Sequence, residues 1–331
     1  MHINKPVKIV AMGKYLPSVY ESTNLEADYN LPAGWSEKNS GVKRRRKALF
    51  ESNGFMGARA LENALEKASW DLSQIDMLIA AGSTFDYPLP HQSSVIKSEL
   101  KEGLKHHFPA IDIDSTCLSF ISAFEMAAAL LDGKQYKRIA IVNAEVGSKG
   151  LNSKNWETLT LFGDAAVATL LAYDSEGKSG VYKTMQRTYS EGVNHTIIKG
   201  GGNKYFARDN PYDEELFSFQ MHGIKLLKMA KRIMPEFMDS FFEELSLNLT
   251  EVDVIIPHQA SKTGLQIFKN TFAFKPNQVK GNLLEYGNCI SASIPLLLLE
   301  TIEKGELQRG DCCFLTGTSA GFGMGGALIK Y

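Results

Sequence analysis

Leu72-Ser73-Gln74-Ile75-Asp76-Met77-Leu78-Ile79 is echoed far along the chain by Leu249-Thr250-Glu251-Val252-Asp253-Val254-Ile255-Ile256. After each copy, at a similar distance, comes a strand running into a cysteine-containing turn, then an apolar helix, then Lys and Gly, then another strand. Ile111–Cys117 leads to Lys134 and Ile139–Asn143; Leu283–Cys289 leads to Lys304 and Cys313–Thr316. A duplicated strand–turn–helix unit implies a pseudo-symmetric molecule whose equivalent loops meet near the axis, so that residues distant in sequence share one site. The plainer reading is that any α/β chain looks repetitive, because its units are generic.

Outward from the repeat, strand-like runs (Met77–Ala81, Ile139–Asn143, Val252–Ile256, Cys313–Thr316) alternate with helical stretches (Gly57–Ser69, Phe219–Ser240), which marks a layered α/β fold. The halves divide at the turn-rich Asp174-Ser175-Glu176-Gly177-Lys178-Ser179-Gly180, giving residues 1–175 and 176–331. Gly200 through Pro211 reads as a second loop, a flap rather than a boundary.

With 44% apolar and 22% charged residues, the 331-residue chain can bury a large core. A formal net charge of -1 offers no field for nucleic acid or an anionic membrane, and no stretch approaches a signal peptide or a membrane span, so the expected location is the cytoplasm. Cys117, Cys289, Cys312 and Cys313 lack zinc-site spacing and read as reduced thiols, with no metal expected.

Cys117 follows the strand Ala110–Asp114 and opens the amphipathic run Phe120, Ala123, Phe124, Ala127, Leu130, Leu131. That places its sulfur at a helix N-terminus, where exposed amides and the dipole favour thiolate. A lone cysteine is more often a small buried hydrophobe, so a partner is required. His258, in Pro257-His258-Gln259-Ala260-Ser261, is delivered by the strand Val254–Ile256 to a polar turn, as a general acid–base would be; many histidines there only satisfy local hydrogen bonds. Asn288, in Tyr286-Gly287-Asn288-Cys289-Ile290-Ser291, occupies the turn that corresponds to the cysteine turn; it caps the following helix or donates its amide to a developing oxyanion. The tail Gly317-Thr318-Ser319-Ala320-Gly321-Phe322-Gly323-Met324-Gly325-Gly326 lets backbone pass close to a reacting thioester and offer an amide to its oxygen. The tail is no dinucleotide loop, since the chain stops at Tyr331 before the helix and acidic residue such a loop needs.

The pattern resembles the β-ketoacyl-acyl-carrier-protein synthase III family: Ser115-Thr116-Cys117-Leu118-Ser119-Phe120, Pro257-His258-Gln259-Ala260 and Gly287-Asn288 occur in the family's order and spacing. Trp35 followed by Ser40-Gly41-Val42-Lys43-Arg44-Arg45, then Leu161-Phe162-Gly163-Asp164-Ala165-Ala166, extend the resemblance over nearly the whole chain. It implies a five-layered α-β-α-β-α thiolase fold of two pseudo-symmetric halves, a homodimer, and ping-pong chemistry in which Cys117 takes an acyl group and then condenses it with malonyl-acyl-carrier protein after decarboxylation. His258 and Asn288 would stabilise the enolate, and the backbone amides of Cys117, Gly321 and Gly323 would hold the thioester oxygen. No metal or organic redox cofactor is implied; acyl-coenzyme A or acyl-carrier protein and malonyl-carrier protein are the substrates.

The resemblance also implies substrate contacts at Trp35, Leu89, Phe162 and Ser261, with departures. Asn39 and Trp156 stand where arginines commonly meet the coenzyme A nucleotide, and Ser261 replaces the usual asparagine. These losses would be harmless with a carrier-protein donor, which lacks the adenosine; Lys225, Lys228, Lys231, Arg232, Lys262 and Lys269 are candidates to receive an acidic carrier, though any one lysine fits a solvated helix face equally. The loop Phe85-Asp86-Tyr87-Pro88-Leu89-Pro90 matches the segment that closes the acyl pocket across the dimer, with Leu89 near a position often held by phenylalanine, which suits a chain longer than acetyl.

Three alternatives remain. Thiolase activity needs a second cysteine in the glycine-rich tail, and Gly317–Gly326 has none. A specialised relative would join the acyl group to a β-ketoacyl thioester or pass it to another acceptor; Asn288 favours condensation, because simple acyl transfer has no enolate to stabilise. An inert subunit of a heterodimer would not need the complete Cys–His–Asn set.

Overall fold

The computed structural model describes residues 1–331. In chain order its strands are β1 (Val7–Tyr15), β2 (Ser18–Glu21), β3 (Arg44–Lys47), β4 (Met77–Ala81), β5 (Ala110–Ile113), β6 (Arg138–Glu145), β7 (Ala165–Tyr173), β8 (Gly180–Thr188), β9 (Thr196–Ile197), β10 (Gln220–Met221), β11 (Val254–Pro257), β12 (Cys312–Ser319) and β13 (Gly323–Lys330). One sheet has the order β1-β7-β6-β4-β5 and the other β11-β12-β13-β8. The chain passes from the first sheet to the second at the Asp174–Ser179 turn, where Gly177 takes φ +64°.

Both copies of the opening sequence unit build the same local device. Leu72–Gln74 and Leu249–Glu251 are single 3₁₀ turns, each closed by a reciprocal capping box: Asp71 with Gln74, and Asn248 with Glu251. The repeated aspartate then clamps the start of the neighbouring strand. Asp76 Oδ2 accepts from the Arg138 amide at 2.8 Å, and Asp253 Oδ2 from the Cys312 amide at 2.8 Å. In return the Asp76 and Asp253 amides donate to the carbonyls of Arg138 and Cys312. Parallel β4/β6 and β11/β12 pairings are registered by these two clamps.

Period-2 alternation sorts side chains to the two faces of each sheet. Met77, Ile79 and Ala81 of β4 join Ile256 and Leu315 in one core with Phe120–Leu131 and Ile294–Leu299, so the helices Ser119–Leu130 and Ser293–Glu303 lie between the sheets. Leu78 and Ala80 face outward onto the helix Asn53–Ala68. Ile255, Phe314 and Leu328 face outward in the other sheet, onto the helices Gly223–Phe242 and Lys262–Thr271. The result is five layers, α-β-α-β-α. The helix expected from Phe219 begins only at Gly223, because Gln220 and Met221 pair with β9 as β10. No helix is long and apolar enough to cross a membrane.

Candidate active site

The two central helices enter from matched turns. Ser115–Ser119 and Cys289–Ser293 are each a 3₁₀ turn whose second residue, Thr116 or Ile290, has φ +50°. In the first, the Asp114 carboxylate accepts from the Thr116 amide at 2.8 Å and the Ser119 hydroxyl oxygen from the Ser115 amide at 2.9 Å. In the second, Asn288 Oδ1 accepts from the Ile290 amide at 2.8 Å and the Ser293 hydroxyl from the Cys289 amide at 2.9 Å. Asn288 is therefore the counterpart of Asp114, and Ser291 that of Cys117. The two turns pack against each other, and the cysteine turn also packs on β12.

Cys117 does not sit as the sequence implied. Burial, the nearby Glu145 carboxyl and the Asp114 carboxyl push its thiol up to about 12, against a lowering from backbone amides, so the resting group is a neutral thiol rather than a dipole-stabilised thiolate. The helix N-terminus is present, but desolvation of the sulfur outweighs it. Among the tail amides, Ala320 N–H is the one that meets the sulfur. Gly321 holds φ +76° in the hairpin turn, and Gly323 pairs with Ser319 and Thr188 in the β13 ladder. The Leu118 side chain lies against the faces of Gly317, Gly323 and Gly325, which sets the cysteine turn on the hairpin.

His258 emerges at the end of β11, its amide bound to the Thr316 carbonyl at 2.8 Å. A β-carbon at Gly317 would stand 2.6 Å from His258 Cβ, so the glycine clears the imidazole's seat beside Leu118. Burial lowers the imidazole to about 4, leaving it neutral at physiological pH, and its Nδ1 is buried without a partner. Such an orphan next to the cysteine turn is what a substrate group would satisfy. Asn288 is fixed by backbone bonds to Leu161 and Gly163, and Gly287 (φ +68°) lets the turn pass where a β-carbon would lie 2.4 Å from the Leu161 carbonyl. Its Nδ2 reaches the Ala260 carbonyl at 3.2 Å, a long bond that leaves a second N–H to spare.

Other residues singled out from sequence are placed differently. Phe162 is buried against Phe219 (5.0 Å, edge-on), and its backbone bridges that of Asn288, so it braces the asparagine turn. Ser261 caps its helix by accepting from the Gly264 amide. Trp35 packs edge-on against Trp156 at 5.8 Å, and Asn39 is bound back to the Trp35 carbonyl. Leu89 is 86% exposed, outside the Cys117 pocket of its own chain. Of the basic candidates, Arg232 pairs with Glu191 and Lys262 donates to the Lys38 carbonyl, whereas Lys225, Lys228, Lys231 and Lys269 are exposed. Glu145, fully buried at the end of β6, was not singled out at all; its signal is a carboxylate closing the apolar run that begins at Ile139.

A neutral thiol, a neutral imidazole and a free amide N–H gathered at the facing ends of two duplicated half-molecules define a condensing enzyme of the thiolase fold. The family model "3-Oxoacyl-[acyl-carrier-protein (ACP)] synthase III" matches residues 111–190, and its C-terminal companion residues 242–331. Beta-ketoacyl-[acyl-carrier-protein] synthase III of Clostridioides difficile is 28% identical over 331 residues, covering 99% of each chain. Its namesake in Aquifex aeolicus is 29% identical over 325 residues, covering 98% of this chain and 99% of that one. The crystal structure of 3-oxoacyl-[acyl-carrier-protein] synthase III from Aquifex aeolicus VF5 superposes with a TM-score of 0.86 at 27% identity, covering 98% of this chain and 100% of that one. The chain belongs to the 3-oxoacyl-[acyl-carrier-protein] synthase III family and is an acyltransferase that forms carbon–carbon bonds.

Proposed function

We propose that Cys117 accepts an acyl group from a carrier-protein thioester and that the acyl-enzyme then condenses with malonyl-carrier protein. In loading, the sulfur attacks the thioester carbonyl as its proton passes to neutral His258; the donor's carbon–sulfur bond breaks and its thiolate leaves with that proton. The Ala320 amide beside the sulfur, with that of Cys117, supports the tetrahedral oxyanion. In condensation, carbon dioxide leaves the malonyl group and its electron pair becomes an enolate whose oxygen is held by an imidazole N–H of His258 and the Asn288 amide. The enolate carbon attacks the acyl carbonyl, and the Cys117 thiolate departs and takes up one proton from solvent. The reaction calls for no metal or organic redox cofactor.

The observation that carries this reading is the convergence of Cys117, the unpartnered His258 ring and Asn288 where the two matched turns pack together. The carrier-borne donor is favoured by Trp156, which packs edge-on against Trp35 where an arginine commonly meets the coenzyme A nucleotide, and by the exposed lysines of the Gly223–Phe242 helix. A cytoplasmic homodimer fits the open edge of β5, where Ile111 is exposed, and the outward Leu89. Intact-protein mass spectrometry of wild type and Cys117→Ala, incubated with matched acyl-coenzyme A and acyl-carrier donors of increasing length, tests it. Label on wild type alone, strongest from carrier donors, is expected. Equal label on both proteins, or none with any donor, overturns Cys117 as nucleophile.

A further inference from the structure

Beneath the two turns, the carboxyl of Glu145 joins the halves. Its Oε2 receives the Thr84 amide (3.0 Å) and the Thr84 hydroxyl (2.5 Å); its Oε1 lies 3.1 Å from the Ser83 amide and 2.5 Å from the Ser291 hydroxyl. Proton bookkeeping decides the state of this cluster. Thr84 Oγ1 already accepts from the Val146 amide and the Asn53 side chain, so its single proton points to Glu145. Ser291 also has a single proton but two acceptors in reach, Glu145 Oε1 and the Ala81 carbonyl at 2.9 Å. Both contacts are full two-centre bonds only when Oε1 carries a proton and donates it to Ser291, freeing the serine hydroxyl for Ala81; a shared serine proton would weaken each.

We propose that Glu145 is a positioning residue that holds a proton in the resting enzyme, and that this proton latches the Asn288–Ser291 turn onto the opposite half while keeping negative charge away from Cys117. The latch acts where it matters, because Ser291 is the counterpart of Cys117 in the duplicated turn and lies three residues after Asn288. Burial lifts the Glu145 carboxyl to about 7, against lowering by its hydrogen-bond donors, so the proton is exchangeable near neutrality. The titratable groups facing it are the thiols of Cys117 and Cys289, both pushed up by its charge; Asp164 acts on Cys289 but is itself bound to Ser148 and the Ala48 amide, and Asp114 acts on Cys117 from the turn. Loss of the proton therefore disfavours the Cys117 thiolate and removes a hydrogen bond from the turn.

The role builds on the catalytic reading of Cys117, and the test avoids acyl substrates so that the two stand or fall separately. The rate of Cys117 alkylation by iodoacetamide, followed by peptide mass, is measured against pH for wild type and Glu145→Gln, whose amide can donate to Ser291 as the protonated acid does. Expected are converging rates below about pH 6, where wild-type Glu145 is neutral, and a variant faster by about threefold to tenfold above about pH 8, where the carboxylate opposes the thiolate. A constant ratio across that range overturns the proposal. A second arm spares Glu145: in Cys117→Ala protein with ¹³C-labelled glutamate carboxyls, infrared spectra near pH 6 should contain the carbonyl band of a buried protonated acid that fades through neutrality. Its absence overturns the proposal whatever the fate of Glu145→Gln.

Discussion

Asp114-Ser115-Thr116-Cys117-Leu118-Ser119 and Asn288-Cys289-Ile290-Ser291-Ala292-Ser293 are the same turn built twice, and only two of its positions divide the chemistry. The side-chain acceptor at the first position, the left-handed third residue and the serine at the sixth recur in both. Among the positions that differ, the chemistry turns on the first residue, a carboxylate in one half and an amide in the other, and the fourth, a thiol in one and a hydroxyl in the other. Geometry is inherited in duplicate; reactivity is specialised by the end groups. The half that carries the nucleophile leaves its first position acceptor-only, and the half that carries the amide donor anchors its fourth position on Glu145.

The strongest way to break this division is to make the first positions alike. Asn288→Asp keeps the oxygen that receives the Ile290 amide, so the turn should survive, but it replaces the spare N–H with a lone pair. Acyl loading measured by mass should be retained while condensation falls about 10²- to 10³-fold, the scale of a lost oxyanion donor. Condensation at the wild-type rate would show that the difference between Asp114 and Asn288 is not a division of labour.

The approach to the two turns offers a sharper contrast. Ile113 enters the cysteine turn from β5 with ordinary strand geometry, but Gly287 enters the asparagine turn at φ +68°, against the Leu161 carbonyl. Gly287→Ala combines backbone strain with a clash against the Leu161 carbonyl, which the Asn288 amide also binds, so relief displaces the asparagine or its support. A stability loss of about 3 kcal/mol is expected in chemical denaturation, with condensation impaired more than loading. Equal impairment of both half-reactions would mean that the disturbance spreads beyond the asparagine turn.

How far the sequence reached follows from what each pattern encodes. The repeated Leu-x-x-Ile/Val-Asp unit was legible because it contains its own physics: a capping residue before it, an aspartate aimed at the next strand, and period-2 apolar residues that choose a sheet face. His258 and Asn288 were legible as polar residues at the ends of apolar elements. The register of the turns was not, since aligning the two units on their cysteines pairs Cys117 with Cys289, whereas the backbone dihedrals and turn hydrogen bonds pair it with Ser291. Family position does not say which way a side chain packs: Phe162 lies against Phe219 beside Asn288, and Ser261 caps its helix. The acidity of Cys117 was misjudged for a related reason: a helix N-terminus is visible in sequence, whereas the burial of the sulfur and, after it, the carboxyl of Glu145, both brought about by the fold, are not.

The smallest expected effect tests whether the turns are energetically as well as geometrically equivalent. Ser293 satisfies one buried amide, that of Cys289, and removing its hydroxyl should cost about 1 kcal/mol. Ser119 satisfies the Ser115 amide and also donates to the Thr116 carbonyl at 2.7 Å, so Ser119→Ala should cost more, by up to about 1 kcal/mol. The extra bond braces the left-handed residue next to Cys117, where the nucleophile must hold its aim; beside Ser291 the bond to Glu145 does that service instead. Urea denaturation of the single and double variants separates these contributions. A larger cost in the nucleophile's turn, additive with that of Ser293→Ala, fits two turns braced independently, whereas a strong interaction between the substitutions would mean that the turns hold each other in place across the molecular pseudo-axis.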